Sequence, residues 1–199
     1  MKLEDYLIPK MDVIRTFIAV EIPANIRQKL AEVSDELSRL GVDAKWVPKE
    51  NFHITLKFLG NVKAELIANV SEVVKSVVDQ TSSFDIALAG LGAFPRLSRP
   101  SVVWVGISEG TSEIKSLAEH IDSKLVNLGF EREARPFSGH VTLARIRTLK
   151  NIDKLREKIE ILKDQYIGAF GVKSVVVMKS DLQRTGPIYT PISEFELQN

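Results

Sequence analysis

Apolar positions along the chain switch between the strand period and the helix period in an order that occurs twice. From Arg15, the run Thr16-Phe17-Ile18-Ala19-Val20-Glu21-Ile22 reads as a short strand ended by Pro23. Ile26, Leu30, Val33, Leu37 and Leu40 then recur on one helical face, with Gly41 where a helix should stop. A short run around Trp46 leads into the alternating segment Phe52-His53-Ile54-Thr55-Leu56-Lys57-Phe58. After Gly60 the apolar set Leu66, Ile67, Val70, Val73, Val74 and Val77 predicts a second helix, and Phe84 to Phe94 a further strand.

The second half repeats this order. Val102 to Ile107 predicts a strand, and Ile114, Leu117, Ile121, Leu125 and Leu128 mark a helix ending before Gly129. A second alternating segment, Gly139-His140-Val141-Thr142-Leu143, follows. Ile152, Leu155, Ile159 and Leu162 give another helix, β-branched Val172 to Met178 a strand, and Ile188 to Leu197 a final strand. The pattern implies an internal duplication of a strand-helix-strand-helix-strand unit, over about 15–97 and 100–185, inside a single domain of residues 15–199. Pro95-Arg96-Leu97-Ser98-Arg99-Pro100 is the natural connector. Residues 1–14 read as an appended arm, with Met11 an alternative start. The pattern alone permits either a parallel sheet or two facing, mostly antiparallel sheets.

The repeated phrases His53-Ile54-Thr55-Leu56 and His140-Val141-Thr142-Leu143 carry the candidate chemistry. A given His has Thr at +2 and Leu at +3 only about one time in 200 at average composition, and here two of three histidines do. Side chains alternate between the faces of a strand, so Ile54 and Leu56, like Val141 and Leu143, anchor each segment to a core. His53, Thr55 and Lys57, and likewise His140 and Thr142, then fall on the opposite face. Two imidazoles near neutral pH suit acid–base work, one taking a proton while the other gives one. Two hydroxyls add donors for an anionic oxygen, and the set suits attack on a phosphodiester.

Other readings fit less well. Two histidines without cysteine supply too few ligands for zinc, so no metal site is expected. No Gly-x-Ser-x-Gly elbow marks a serine nucleophile. His120 sits away from its helix's apolar stripe and reads as surface. Lys57 and Arg145 are the favoured phosphate-binding cations, ahead of Arg135, Arg147 and Arg184; Trp46 and Tyr189 are candidate platforms for a base.

Composition narrows the picture further. Lys+Arg 27 against Asp+Glu 26 leaves a formal charge of +1, so any contact with nucleic acid has to be local. The lack of cysteine removes disulfides and thiolate chemistry and fits a reducing compartment. With no membrane span or signal-peptide core, a cytoplasmic location is expected, and nothing in the sequence demands more than a monomer.

Trp46 to Gly60, with Arg135-Pro136-Phe137-Ser138-Gly139-His140-Val141-Thr142-Leu143-Ala144-Arg145, resembles the two-histidine phosphoesterases, and within them the RNA 2′,3′-cyclic phosphodiesterases, historically called 2′-5′ RNA ligases. Arg15 to Pro23, Val102 to Gly106, Ser180-Asp181-Leu182 and Gly186 to Tyr189 extend the likeness to almost everything after residue 14. The resemblance implies a bilobal α+β fold in which each lobe is a mostly antiparallel sheet with outer helices, and a central cleft holds both tetrads. It implies hydrolysis of a 2′,3′-cyclic phosphate to a 2′-phosphomonoester, without metal or other cofactor. His53 matches the proton donor, His140 the proton acceptor, and Thr55 and Thr142 the phosphate-holding hydroxyls. The substrate implied is RNA with a cyclic phosphate end, such as a tRNA half, or a small cyclic nucleotide; 2′-5′ ligation is a second use of the same site. A noncatalytic module that binds RNA ends is the competing expectation.

Overall fold

The computed structural model describes residues 12–184 and 186–199; the expectations for residues 1–11, Met11 among them, lie outside the described residues. The chain order is β1 (Val13–Glu21), α1 (Ala24–Ser38), β2 (Ala44–Trp46), β3 (His53–Lys63), α2 (Ile67–Val78), β4 (Phe84–Phe94), β5 (Val102–Glu109), α3 (Thr111–Leu125), β6 (His140–Ile146), α4 (Ile152–Ile161), β7 (Tyr166–Val172), β8 (Ser174–Leu182) and β9 (Pro187–Glu196). Apolar periodicity located nearly all of these. The exception is β7, where the expected single strand Val172 to Met178 is in fact two strands that part at Lys173. Two glycines in Tyr-Ile-Gly-Ala-Phe-Gly-Val remove the side chains whose alternation would have marked β7.

Every ladder between these strands is antiparallel, and the order across the sheet is β7-β4-β5-β6-β3-β1-β8-β9, with β2 alongside β6. The sheet therefore consists of two four-stranded halves, β7-β4-β5-β6 and β3-β1-β8-β9. Their seam is one residue pair, Ile54 with Val141, and both side chains are fully buried. Neither half is made from one sequence repeat. β4 leaves the first repeat to pair with β5, while β8 leaves the second to pair with β1. Helices cross over in the same way: α1 and α4 pack on the β7-β4-β5-β6 half, α2 and α3 on the other. This exchange buries one continuous apolar core, running from Ile18 and Leu30 to Val177 and Leu197, beneath both halves. The opposite face of the seam stays open.

Strand parity is broken at matching places in the two tetrad strands. Ala19 pairs with Thr55 and Ile18 with Lys57, so β3 inserts Leu56 as an extra residue against β1. Trp104 pairs with Thr142 and Val103 with Ala144, so β6 inserts Leu143 against β5. Each is a β-bulge, which turns the side chains after it to the other face, in β3 as far as a second shift at Leu59. Consequently Leu56 and Lys57 both point into the helix-covered side, as do Leu143 and Ala144, and all four are buried. Phe58, which unbroken alternation assigns to the core, is instead 46% exposed. Replacing a fully buried leucine by alanine typically costs about 2–5 kcal/mol, and a surface substitution about 0.5 kcal/mol. Urea denaturation is therefore expected to show Leu143→Ala in the first range and Phe58→Ala below about 1 kcal/mol. A core-sized loss for Phe58→Ala would mean that β3 is not bulged.

Candidate active site

On the open face, a cleft of about 470 Å³ is lined by His53, Thr55, His140, Thr142 and Arg145, five of the six site residues expected from sequence. Antiparallel register about Ile54 and Val141 sets His53 across from Thr142, and Thr55 across from His140. The two half-sites thus interleave at the seam.

Both rings are held by the same local device. His53 Nδ1–H donates to the carbonyl oxygen of Asn51 at 2.8 Å, and His140 Nδ1–H to that of Ser138 at 2.8 Å. A carbonyl can only accept, so the proton of each neutral ring sits on Nδ1 and Nε2 presents its lone pair. His53 Nε2 lies 3.0 Å from Thr55 Oγ1. Asn51 is fixed in turn, its Nδ2 donating to the Pro187 carbonyl at 2.8 Å. Aromatic walls complete the placement. The His53 ring centroid is 4.8 Å from Phe17 and 5.2 Å from Tyr189; that of His140 is 5.0 Å from Phe94 and 6.3 Å from Trp104. Trp104 lies flat over Gly92, where a Cβ would overlap its indole ring.

Burial holds both imidazoles below the usual value of 6.5, because a charged ring loses hydration there. The hydrogen bonds to Asn51 and Ser138 oppose this in part. Positive neighbours act in the same direction as burial: His140 on His53, and the Arg145 guanidinium on His140. Burial likewise raises the Tyr189 phenol, while Arg145 and Arg15 pull it down.

The cations expected from sequence are distributed differently. Arg145 enters the cleft, because the Leu143 bulge carries it to the face of His140 and Thr142. Lys57 does not, and the expectation that it shares the polar face is corrected by the Leu56 bulge. Its ammonium is buried, donating to the Asp122 carboxylate and, at 2.8 Å, to the Glu131 carbonyl. Arg135 lines a neighbouring pocket, Arg147 lies beyond the cleft and Arg184 is exposed outside it. Trp46 and Tyr189 both line the cleft, and His120 is exposed on α3.

Two further cations, Arg15 and Lys45, face the cleft and were not singled out from sequence. The signal for Arg15 was parity: it shares the β1 face of Phe17 and Ala19, beside β3, and its guanidinium lies 4.6 Å over the Phe58 ring. No carboxylate lines the cleft among the described residues, nor do three His, Asp or Glu side chains cluster anywhere to hold a metal.

An antiparallel α+β duplication that presents a His and a Thr from each of two matched strands into one cationic cleft has the makeup of a two-histidine phosphoesterase. The chain belongs to the LigT-like phosphoesterase family, whose model matches it twice, over residues 20–104 and 105–189. It is 39% identical over 166 residues to the RNA 2′,3′-cyclic phosphodiesterase of Aeropyrum pernix, covering 83% of this chain and 93% of that one. With the enzyme of the same name from Methanocaldococcus jannaschii it shares 35% identity over 181 residues, or 91% of this chain and 99% of the other. Among solved structures, Escherichia coli LigT in its apo form superposes with a TM-score of 0.76 at 26% identity, covering 94% of this chain and 99% of that one. Among the described residues no helix is long and apolar enough to cross a membrane.

The surroundings of the two rings set a testable order of effects. In an NMR titration of the imidazole C–H signals, both midpoints are expected below 6.5. Arg145→Gln removes a positive neighbour of His140 and is expected to raise its midpoint more than that of His53. A larger shift at His53 would show that Arg145 does not face His140.

Proposed function

We propose that the protein is an RNA 2′,3′-cyclic phosphodiesterase that opens a terminal cyclic phosphate to a 2′-phosphomonoester by acid–base catalysis. The observation that carries this reading is the pair of Nε2 atoms delivered to one cleft by identical bonds to Asn51 and Ser138. His140 Nε2 takes a proton from water, whose oxygen attacks phosphorus. The bond from phosphorus to the ribose 3′-oxygen breaks, and His53 Nε2–H supplies the proton to that oxygen. Thr55 and Thr142 hydroxyls and the Arg145 guanidinium hold the non-bridging oxygens, where negative charge accumulates. Lys57 has no part in this, since its ammonium is engaged by Asp122 and Glu131.

Burial first, and the Arg145 guanidinium after it, hold His140 below its usual value, as a base requires. An acid must start protonated, and burial, with the neighbouring His140, disfavours that at His53. The arriving phosphate supplies the negative charge that raises the His53 pKa when it is needed. The names of the archaeal relatives, over most of the chain, support the same substrate. Ligation of a 5′-hydroxyl to such an end puts that hydroxyl in the place of water in the same two proton transfers, and the substrate is an RNA end such as a tRNA half or a small cyclic nucleotide. The site is complete within one chain, consistent with a cytoplasmic monomer.

General acid–base groups typically contribute 10²–10⁴-fold, so His53→Ala and His140→Ala are each expected to lower kcat by about that factor on cytidine 2′,3′-cyclic phosphate. Activity is expected to persist in EDTA, and end-group analysis of a digested RNA to find a 2′-phosphate. Retained turnover in either variant would remove the two-histidine mechanism. Tight binding of an RNA end that stays cyclic would identify a binding module instead.

A further inference from the structure

A second pocket, about 690 Å³ in volume, lies just past the end of the cleft and is walled by Arg96, Arg99 and Arg147 together with Ser101 and Thr148. Two chain connections tie it to the site. Arg96 follows Phe94-Pro95, and the Phe94 ring meets His140; Arg147 follows Arg145, which is in the cleft. Backbone bonds hold the arginine-bearing segments in place. Ser101 N–H and Oγ–H both donate to the Phe94 carbonyl, at 2.6 and 3.0 Å, and Arg99 N–H to that of Arg96 at 3.1 Å. Ile146 N–H donates to Ser101 O at 2.9 Å, and Arg147 N–H to Asp43 O at 2.9 Å.

What distinguishes this surface is unbalanced charge. No Asp or Glu lines the pocket, and among the described residues none of its three arginines forms an ion pair. In a chain of net charge +1, three adjacent unpaired guanidiniums are a local excess next to three more cations in the cleft, Arg15, Lys45 and Arg145. Guanidinium forks match phosphate oxygens two at a time. Arg147 stands two residues after Arg145, just past the end of β6, a span of at most about 7 Å of extended chain that suits successive phosphates of an extended strand. Leu149, 55% exposed at the pocket edge, offers apolar contact to a sugar or base.

We propose that this pocket binds phosphodiester groups on the 5′ side of the reacting end, which makes the preferred substrate a single strand of several nucleotides rather than a cyclic mononucleotide. The inference rests on the cleft being the phosphodiesterase site. It predicts two separable effects for the variant Arg96→Gln/Arg99→Gln/Arg147→Gln. Hydrolysis of cytidine 2′,3′-cyclic phosphate stays at the wild-type rate, which also reports an intact fold. With a pentaribonucleotide bearing the same end, kcat/KM falls at least about tenfold, since each charged hydrogen bond lost is worth more than a neutral one.

Binding gives a readout independent of turnover. Each phosphate contact on a single strand contributes about −0.7 to the slope of log affinity against log salt, so losing three flattens the slope by about 2. Between roughly 50 and 200 mM salt, the wild type should lose about 20-fold more affinity than the variant for a pentamer ending in 2′-phosphate, measured by fluorescence anisotropy. An unchanged slope, or an unchanged ratio of pentamer to mononucleotide kcat/KM, overturns the pocket assignment. If the wild type hydrolyses neither substrate, the phosphodiesterase reading fails, while the slope still decides whether the pocket holds RNA.

Discussion

One inserted residue in each of two strands governs what the cleft contains. Side chains alternate with a period of two, so without the bulges at Leu56 and Leu143 the positions after each tetrad would exchange faces. Phe58 and Arg145 would enter the core, and Lys57 and Ala144 would face the cleft. The bulges are held because two consecutive side chains in each strand are buried beneath the helices. At the Ala144 site this asks nothing of the surroundings. At the Lys57 site a buried ammonium needs partners, and Asp122 from α3 and the Glu131 carbonyl supply them. Lys57 also draws α3 and the segment after it onto β3, since Asp122 accepts from the Glu133 backbone N–H as well, at 3.2 Å.

The features readable from sequence were those with a period or a repeat. The helices announced themselves through stripes such as Ile114, Leu117, Ile121 and Leu125, and the tetrads through a duplicated phrase on alternating strands. The bulges left no such trace, because an extra leucine in a hydrophobic run looks like any other core position. That is why parity pointed Lys57 to the cleft and would have pointed Arg145 to the core. β7 was concealed by its glycines, and the exchange of β4 and β8 between halves is a long-range pairing that local patterns do not encode. Arg15 and Lys45 each stood as one cation among 27, with only the partner strand to say that they face the histidines.

Overall charge and local charge point in different directions here. A net charge of +1 gives the molecule no general attraction for a polyanion, yet the cleft and the pocket beside it contain six cationic side chains and no carboxylate. Surface acids sit elsewhere, several in short-range pairs such as Lys75 with Asp79 and Arg156 with Asp153. Such pairs are neutral at a distance, so the field close to the seam is set by the unpaired arginines.

The duplication also explains how two nearly identical half-sites can act differently. The rings share one hydrogen-bond device and the bulges fall at matching positions, so symmetry alone would give two equivalent imidazoles. It is broken at the first cleft-facing residue after each bulge: Phe58 beside the His53 strand, Arg145 beside the His140 strand. A phenyl ring adds no charge, whereas a guanidinium lowers the affinity of its histidine for a proton. Arg15 places a cation near Phe58 from β1, stacked over the ring. Burial is the first cause of the lowered proton affinity at both rings, and the guanidinium adds a lesser push on the His140 side. In the proposed reaction His53, enclosed by Phe17 and Tyr189, acquires its proton from the encounter with the anionic substrate. The two half-sites thus differ through a phenylalanine and an arginine at equivalent positions rather than through the histidines themselves.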